Sequence, residues 1–151
     1  MESESFNPKK IVTLKTVENN EKYLKGDKKK LLPTSRKGLP LKEGTTEVKI
    51  VADKKEPQEV GEVRLIVPKK QLPNVEKVEL LAQRPGEKEP TVVKEFDTQD
   101  VKDVKGNLLK GRNPIITKAI TLRVTKKKGK KVNLKVNVKI CVKTTTGKLK
   151  I

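Results

Sequence analysis

The chain has 151 residues, of which 32% are hydrophobic, 2% aromatic and 37% charged. This length suits one domain with a core built mainly from Val, Leu and Ile, and no apolar run approaches the roughly 18 residues of a membrane span. The formal net charge is +18, and residues 101–151 carry 16 basic residues against one acid, Asp103. Residues 1–44 have a net charge of +5 and residues 45–100 a net charge of −2. A field of this sign attracts polyanions, and its source is mainly the C-terminal third.

Residues 1–44 mix lysine runs, glycine and proline without a sustained period, which predicts a basic, flexible and largely irregular N-terminal arm. Within it, KKIVTLKTV (9–17) is a candidate strand because apolar and polar residues alternate. We expect the folded domain to span residues 45–145 and a short tail to follow at 146–151. The opening residues, MESESFNPKK, lack the apolar stretch of a signal peptide.

Apolar residues recur at every second position from Thr46 onward, which is the period of a strand with one buried face. The segment VEKVELLAQ could also form one face of a helix, but its proline-bounded length favours a strand. Residues 97–114 are predicted to form a long connection. We therefore predict an all-β fold, an antiparallel and jelly-roll-like β-sandwich of about six to eight strands. The predicted strands are 46–52, 62–68, 75–82, 91–96, 115–125 and 131–143.

Residues for catalysis and metal binding are scarce in the sequence. The chain has no histidine and one cysteine, which excludes histidine triads, thiolate zinc clusters and paired-cysteine redox chemistry. Neither a P-loop nor a G-x-G-x-x-G motif occurs. Asp97, Asp100 and Asp103 are spaced like calcium ligands, but the glycine and terminal glutamate of a calcium loop are missing, which favours a solvated loop. We therefore predict a protein that is not an enzyme and has no metal or other cofactor.

The segment TKKKGKK (125–131) has five lysines and joins the two longest predicted strands. If these strands form a hairpin, the turn is a cationic finger suited to polyanions; the alternative is a solvated turn whose lysines protect a sheet edge. In KKVNLKVNVKICVK (130–143) the even positions are apolar, so the odd face is a candidate binding surface, continued in a hairpin by Thr121, Arg123 and Thr125. The predicted surface-binding residues are Lys126, Lys127, Lys128, Lys130, Lys131, Lys135, Lys139, Lys143 and Arg123.

The only cysteine, Cys141, falls on that odd face between Lys139 and Lys143. Neighbouring ammonium groups favour the thiolate, so Cys141 is a candidate for an intermolecular link. The alternative is a sheet covered on both faces, in which cysteine is a small apolar residue.

The amino-acid composition also indicates which kinds of polyanion the chain is suited to bind. Only 5 of the 37 basic residues are arginine, and lysine is a hydrated point charge rather than a bidentate reader of phosphates or bases. Phe6, Tyr23 and Phe96 are the whole aromatic content, which is too little for the base stacking of single-strand and RNA-binding modules. Non-specific contact with phosphates through charge alone stays open.

The segment GNLLKGRNPIITKAITLRVTKKKGKKVNLKVNVKICV (106–142) resembles the closing part of galactose-binding-like, or discoidin-type, β-sandwich domains. Those domains end with a Gly-Asn segment, a Pro-Ile turn, a strand similar to TKAITLRV, and a last strand ending in cysteine. The resemblance implies a jelly-roll sandwich of about eight strands, usually extracellular, that binds sugars, lipids or matrix through loops at one end. The family's early partner cysteine and aromatic loop residues are absent here. Degenerate copies of this kind are similar to modules of secreted adhesive, mucin-like and silk-like proteins, where their task is cohesion.

From these observations we expect a secreted, extracellular structural or adhesive protein. It would bind anionic surfaces, acidic polysaccharides or acidic proteins through its lysine-rich C-terminal sheet and hairpin. One alternative is a basic protein of the cytoplasm or nucleus that binds nucleic-acid phosphates non-specifically. Another is a carbohydrate-binding module with a pocket at the loop end, and self-association is a further candidate interaction.

Overall fold

The computed structural model describes the backbone of residues 5–13, 16–19, 28–51 and 57–144, and the side chains of residues 30–50 and 57–140. The predicted tail, 146–151, lies outside the described residues. The elements, in chain order, are β1 (Ser5–Thr13), β2 (Thr16–Asn19), the 3₁₀ helix η1 (Lys28–Leu31), β3 (Leu39–Pro40), β4 (Thr45–Val51), β5 (Gln58–Ile66), the 3₁₀ helix η2 (Lys69–Asn74), β6 (Val75–Ala82), β7 (Thr91–Asp97), α1 (Thr98–Asp103), β8 (Ile115–Thr117), β9 (Ala119–Lys126) and β10 (Asn133–Thr144).

Two antiparallel five-stranded sheets form from the described residues. Sheet 1 has the order β1-β10-β5-β8, with β3 also paired to β10, and sheet 2 has the order β2-β4-β9-β6-β7. Of these ten strands, β3 and β8 contain only two and three residues, and the other eight contain four or more. The predicted all-β antiparallel sandwich is confirmed.

The core lies between the sheets and is built from alternate residues of their strands. Ile120, Leu122 and Val124 of β9 are buried from sheet 2, and Leu134 and Val136 of β10 are buried from sheet 1. Successive side chains of a strand point to opposite faces, so the alternation in the sequence gives each strand one apolar face. Each such aliphatic side chain stabilises the fold by roughly 1.5–3 kcal/mol when it is fully buried.

The predicted hairpin between β9 and β10 is wrong. β9 pairs with β4 and β6 in sheet 2, whereas β10 pairs with β1, β3 and β5 in sheet 1. Residues 127–132, which we call the lysine loop, therefore cross from one sheet to the other. The outward faces of β9 and β10 lie on opposite sides of the sandwich, so Thr121, Arg123 and Thr125 do not extend the odd face of β10. Alternation identifies a buried face, but it does not identify the sheet to which a strand belongs.

The described residues before residue 45 add strands to the sheets and side chains to this core, which differs from the predicted irregular arm. β1 pairs with β10, and β2 pairs with β4. Leu31, Leu39 and Leu41 are buried in the same cluster as the later strands. The predicted domain boundary at residue 45 is therefore too late. Outside the candidate strand 9–17, the apolar residues of this region are too widely spaced to show a period, and the partners of the region lie far along the chain.

One short helix, α1, lies inside the predicted long connection. Asp97 Oδ1 accepts a hydrogen bond from the Asp100 N–H at 2.7 Å, and Asp100 Oδ2 accepts one from the Asp97 N–H at 3.3 Å. This reciprocal pair is a capping box, and the spacing in Asp-Thr-Gln-Asp is its sequence signal. Of the three aspartates spaced like calcium ligands, Asp97 and Asp100 thus begin a helix and Asp103 is its last residue. No helix within the described ranges is long and apolar enough to cross a membrane.

Different loops connect the strands at the two ends of the sandwich. At the crossing end, the β3–β4 loop (41–44), the β5–β6 loop (67–74) and the lysine loop each pass between the sheets. At the opposite end, which we call the hairpin end, the β6–β7 turn (83–90) joins neighbouring strands of sheet 2, and residue 118 passes from β8 in sheet 1 to β9 in sheet 2.

Candidate functional site

Three loops lie against one another at the crossing end. The Lys127 N–H donates to the carbonyl oxygen of Asn74 in the β5–β6 loop at 2.8 Å, and the Asn74 side chain donates to the carbonyl oxygen of Lys131 at 2.8 Å. From the β3–β4 loop, the Leu41 N–H donates to the carbonyl oxygen of Val132 at 2.9 Å. These hydrogen bonds hold the lysine loop between the other two loops.

The lysine loop presents four of the predicted binding residues together. Lys127, Lys128, Lys130 and Lys131, which we call the loop-tip lysines, are all exposed. None of them has an ion-pair partner within the part of the chain that the structure describes. Gly129 stands between them with a φ of +75°, a backbone conformation that glycine adopts without a steric cost. The loop thus turns at Gly129 and carries two lysines on either side of the turn.

Lys126, the fifth lysine of the predicted finger, does not belong to this surface. Its side chain is only 4% exposed, and its Nζ donates to the Glu43 carboxylate and, at 2.8 Å, to the carbonyl oxygen of Lys130. The Gly129 N–H donates to the same carboxylate at 3.3 Å. The hydrogen bond from Lys126, followed by that from Gly129, holds the pKa of Glu43 below its usual range. Glu43 therefore ties the lysine loop to the β3–β4 loop.

Further lysines join this surface from the two neighbouring loops, and sequence reasoning missed them. Lys42 lies in the β3–β4 loop, Lys69 and Lys70 open η2 in the β5–β6 loop, and all three are exposed. Together the three loops hold seven exposed lysines and one acid, Glu43. Each of these lysines stands next to other turn residues in the sequence, but nothing in the sequence indicates that the three turns meet.

The odd face of β10 is less available than predicted. Lys135 and Lys139 are both half-buried. Lys135 Nζ donates to the carbonyl oxygen of Ser35 at 2.8 Å, and Lys139 Nζ lies 3.8 Å from Glu62 Oε2. The backbone of Cys141 and Lys143 continues β10, but their side chains lie outside the described residues. The two interpretations of Cys141 stay open.

Arg123 is separated from the other predicted residues. It lies on the outer face of sheet 2, where its Nε is 2.9 Å from Glu47 Oε2. Thr121, which was expected beside it on the binding surface, is buried. The predicted site therefore divides among the crossing end and the two outer faces, and among the predicted residues whose side chains the structure describes, only the loop-tip lysines remain together and exposed.

Acidic side chains gather in a groove between β6, β7 and α1. Glu76, Glu95, Asp97 and Asp100 line it together with Lys77. Lys77 Nζ lies 3.6 Å from Glu95 Oε1, so part of this charge is paired. Among the side chains that the structure describes, no group of three or more His, Cys, Asp or Glu residues could hold a metal ion.

Comparisons with known proteins do not assign this chain to a family. No protein-family model matches the chain, and no curated protein matches it. The resemblance to galactose-binding-like domains rests on residues 106–142, which form the turn after α1, then β8, β9, the lysine loop and most of β10. That resemblance stays a prediction.

Proposed function

We propose that this chain is a non-enzymatic structural or adhesive module that binds acidic polymers or anionic surfaces through the lysines of its crossing end. The observation that carries the proposal is the meeting of three loops with seven exposed lysines and a single acid. That acid, Glu43, is hydrogen-bonded to Lys126 and to the backbone of the loop. A cationic cluster of this kind raises the local concentration of polyanions and speeds their capture.

The chemistry of the cluster suits a repeating anion better than a small substrate. A single exposed ion pair contributes only about 0.2–1 kcal/mol, so useful affinity requires several pairs at once. Lysine ammonium groups act as point charges and impose little geometry on the anion. A polymer or a surface with many negative groups meets both conditions.

The proposal includes the extracellular setting and the family that residues 106–142 suggest. In this view the sandwich is a degenerate galactose-binding-like domain that uses the loops at one end for cohesion. The two-sheet architecture and the position of the exposed lysines on end loops support this view, because that family is expected to bind its ligands through such loops.

The test compares two variants that each remove four positive charges. The first replaces Lys127, Lys128, Lys130 and Lys131 with Gln. The matched control replaces Arg84, Lys88, Lys94 and Lys118 with Gln, all exposed and outside the three loops of the crossing end. Binding of each variant to a heparin fragment is measured by calorimetry at low salt. We expect an affinity loss of about tenfold for the first variant and less than about twofold for the control. Equal losses in the two variants would show that binding follows net charge rather than this site.

The salt dependence of binding and competition by heparin distinguish the proposal from the nucleic-acid and carbohydrate alternatives. Charge-dependent binding should weaken steadily as salt rises, because exposed charges are screened. Nucleic-acid binding that survives an excess of heparin would favour the intracellular alternative and contradict the proposal. Selective, salt-resistant binding on a carbohydrate array would instead favour a sugar-binding module.

A further inference from the structure

We propose that a second site, a groove between the end of β5, η2 and the C-terminal end of α1, binds a small organic anion with an apolar body, such as a monomeric alkyl carboxylate. The groove has a volume of about 340 Å³. Small-molecule sites typically enclose roughly 300–1,000 Å³ and combine an apolar lining with a few polar groups. The groove therefore has the size and composition of a site for one small molecule.

The charged lining of the groove is entirely basic. Arg64 comes from β5, Lys69 from η2, Lys102 from α1 and Lys105 from the turn that follows α1. Glu62 lies 3.3 Å from Arg64 Nε and offsets part of its charge. The three lysines have no ion-pair partner among the described residues. An anion in the groove would thus meet cations from several sides.

The apolar lining indicates what the anion carries. Ile66, Val67 and Leu72 line the groove and are half-buried, and Val67 and Leu72 also pack against the core. An inorganic anion would leave these side chains in contact with water, whereas a hydrocarbon body would cover them. No aromatic residue lines the groove, so a sugar ring would have no stacking partner there. A linear apolar body fits this lining best.

The backbone at Lys105 provides a separate reason to regard the groove as a site. Lys105 has a φ of +53°, in the left-handed region where glycine and asparagine are the usual residues. Its carbonyl oxygen accepts a hydrogen bond from Arg64 Nη1 at 3.1 Å, which links two of the four basic residues. A lysine in this conformation weakens the fold relative to glycine, and such residues cluster at ligand sites. The positive charge that Lys105 brings to the groove compensates for this loss of stability.

The groove shares Lys69 with the seven-lysine cluster, but the residues varied in the two tests do not overlap, so the two proposals can fail separately. The groove is tested with ¹H–¹⁵N spectra of the full chain titrated with decanoate below its micelle concentration. Acetate supplies the headgroup alone, and decyltrimethylammonium supplies the same chain with the opposite charge. We expect decanoate to shift resonances of residues 64–72 and 102–106 and to bind at least about tenfold more tightly than either comparison compound.

Variants identify the residues responsible. The double variant Lys102→Gln, Lys105→Asn should weaken decanoate binding by about fivefold, and asparagine suits the left-handed backbone, so the fold is retained. Ile66→Thr, which keeps a β-branched side chain, should weaken it by about threefold. Lys127→Gln with Lys128→Gln removes the same charge from the lysine loop and should leave it unchanged.

Three results would overturn the proposal. One is a set of shifts spread over all exposed lysines, and another is equal binding of decanoate and acetate. The third is groove-dependent sedimentation with phosphatidylglycerol vesicles in the absence of decanoate binding, which would make a membrane headgroup the ligand.

Discussion

The three loops of the crossing end and the β6–β7 turn of the hairpin end differ in how they connect strands and in the charge they carry. At the hairpin end, the β6–β7 turn has two basic residues, Arg84 and Lys88, and two acids, Glu87 and Glu89. At the crossing end, three loops carry seven exposed lysines and one acid. The hairpin turn is thus neutral, while the crossing loops form a cationic surface.

This difference follows from connectivity. A hairpin turn draws its residues from one stretch of sequence, so its charge can be counted directly. The crossing loops come from residues 41–44, 67–74 and 127–132, and folding brings them together. Their joint charge is therefore a tertiary property, because the β3–β4 loop is neutral, the β5–β6 loop has two lysines, and only the lysine loop is strongly basic. The candidate site lies where three loops that change sheets meet.

A glycine at each end offers the sharpest test of how tightly the crossing end is built. Gly106, beside β5, has a φ of +81°, and Gly86, in the hairpin turn, has a φ of +87°. A Cβ at Gly106 would lie 2.4 Å from the Leu65 carbonyl oxygen, whereas a Cβ at Gly86 would meet nothing within 4 Å. Gly106→Ala should lower the free energy of unfolding by about 3 kcal/mol or more, and Gly86→Ala by about 1 kcal/mol. Urea unfolding measures both, and equal losses would contradict the close approach at Gly106.

The sequence predicts much of the second half of the fold because alternation is a local property. β6 is predicted at its observed bounds, and β4, β7 and β10 are predicted within two residues. The sheet assignment of β9 and β10 could not be predicted, because a strand's partners are set by residues far along the chain. For the same reason the loop-tip lysines were found from sequence, while Lys42, Lys69 and Lys70 were not. The burial of Lys126 also depends on a distant residue, Glu43.

The next prediction concerns the N-terminal part of the chain, which supplies the β3–β4 loop of the crossing end. Leu31 ends η1 and is fully buried, whereas the adjacent Leu32 is half-buried. Leu31→Ala should lower the free energy of unfolding by roughly 2–3 kcal/mol, since it leaves a cavity in the core. Leu32→Ala, the matched control, should cost less than half as much. A loss below about 0.5 kcal/mol for Leu31→Ala would favour the predicted largely irregular arm and its boundary at residue 45.

The smallest expected effect concerns the attachment of the lysine loop. Glu43 accepts hydrogen bonds from Lys126 and Gly129, which lower its pKa, so it stabilises the folded loop above its unfolded pKa. That contribution is lost as the pH falls through the lower, folded pKa. Glu43→Gln should speed amide exchange at Gly129 by roughly five- to tenfold at neutral pH. After correction for intrinsic exchange, the difference from the unchanged protein should vanish in acid.

Glu87→Gln is the matched control from the hairpin end. The Glu87 side chain accepts a hydrogen bond from the Arg84 N–H at 2.9 Å, so it supports a turn without contacting the lysine loop. Exchange at Gly129 should not change in this variant. A Glu43→Gln effect of the same size at every pH would show that the shape of the side chain, rather than its charge, holds the loop. A charge-dependent effect would mean that Glu43, the acid of the crossing end, orders the loop that carries the loop-tip lysines. Glu43 then adds one negative charge to the crossing end, and this charge is paired with Lys126.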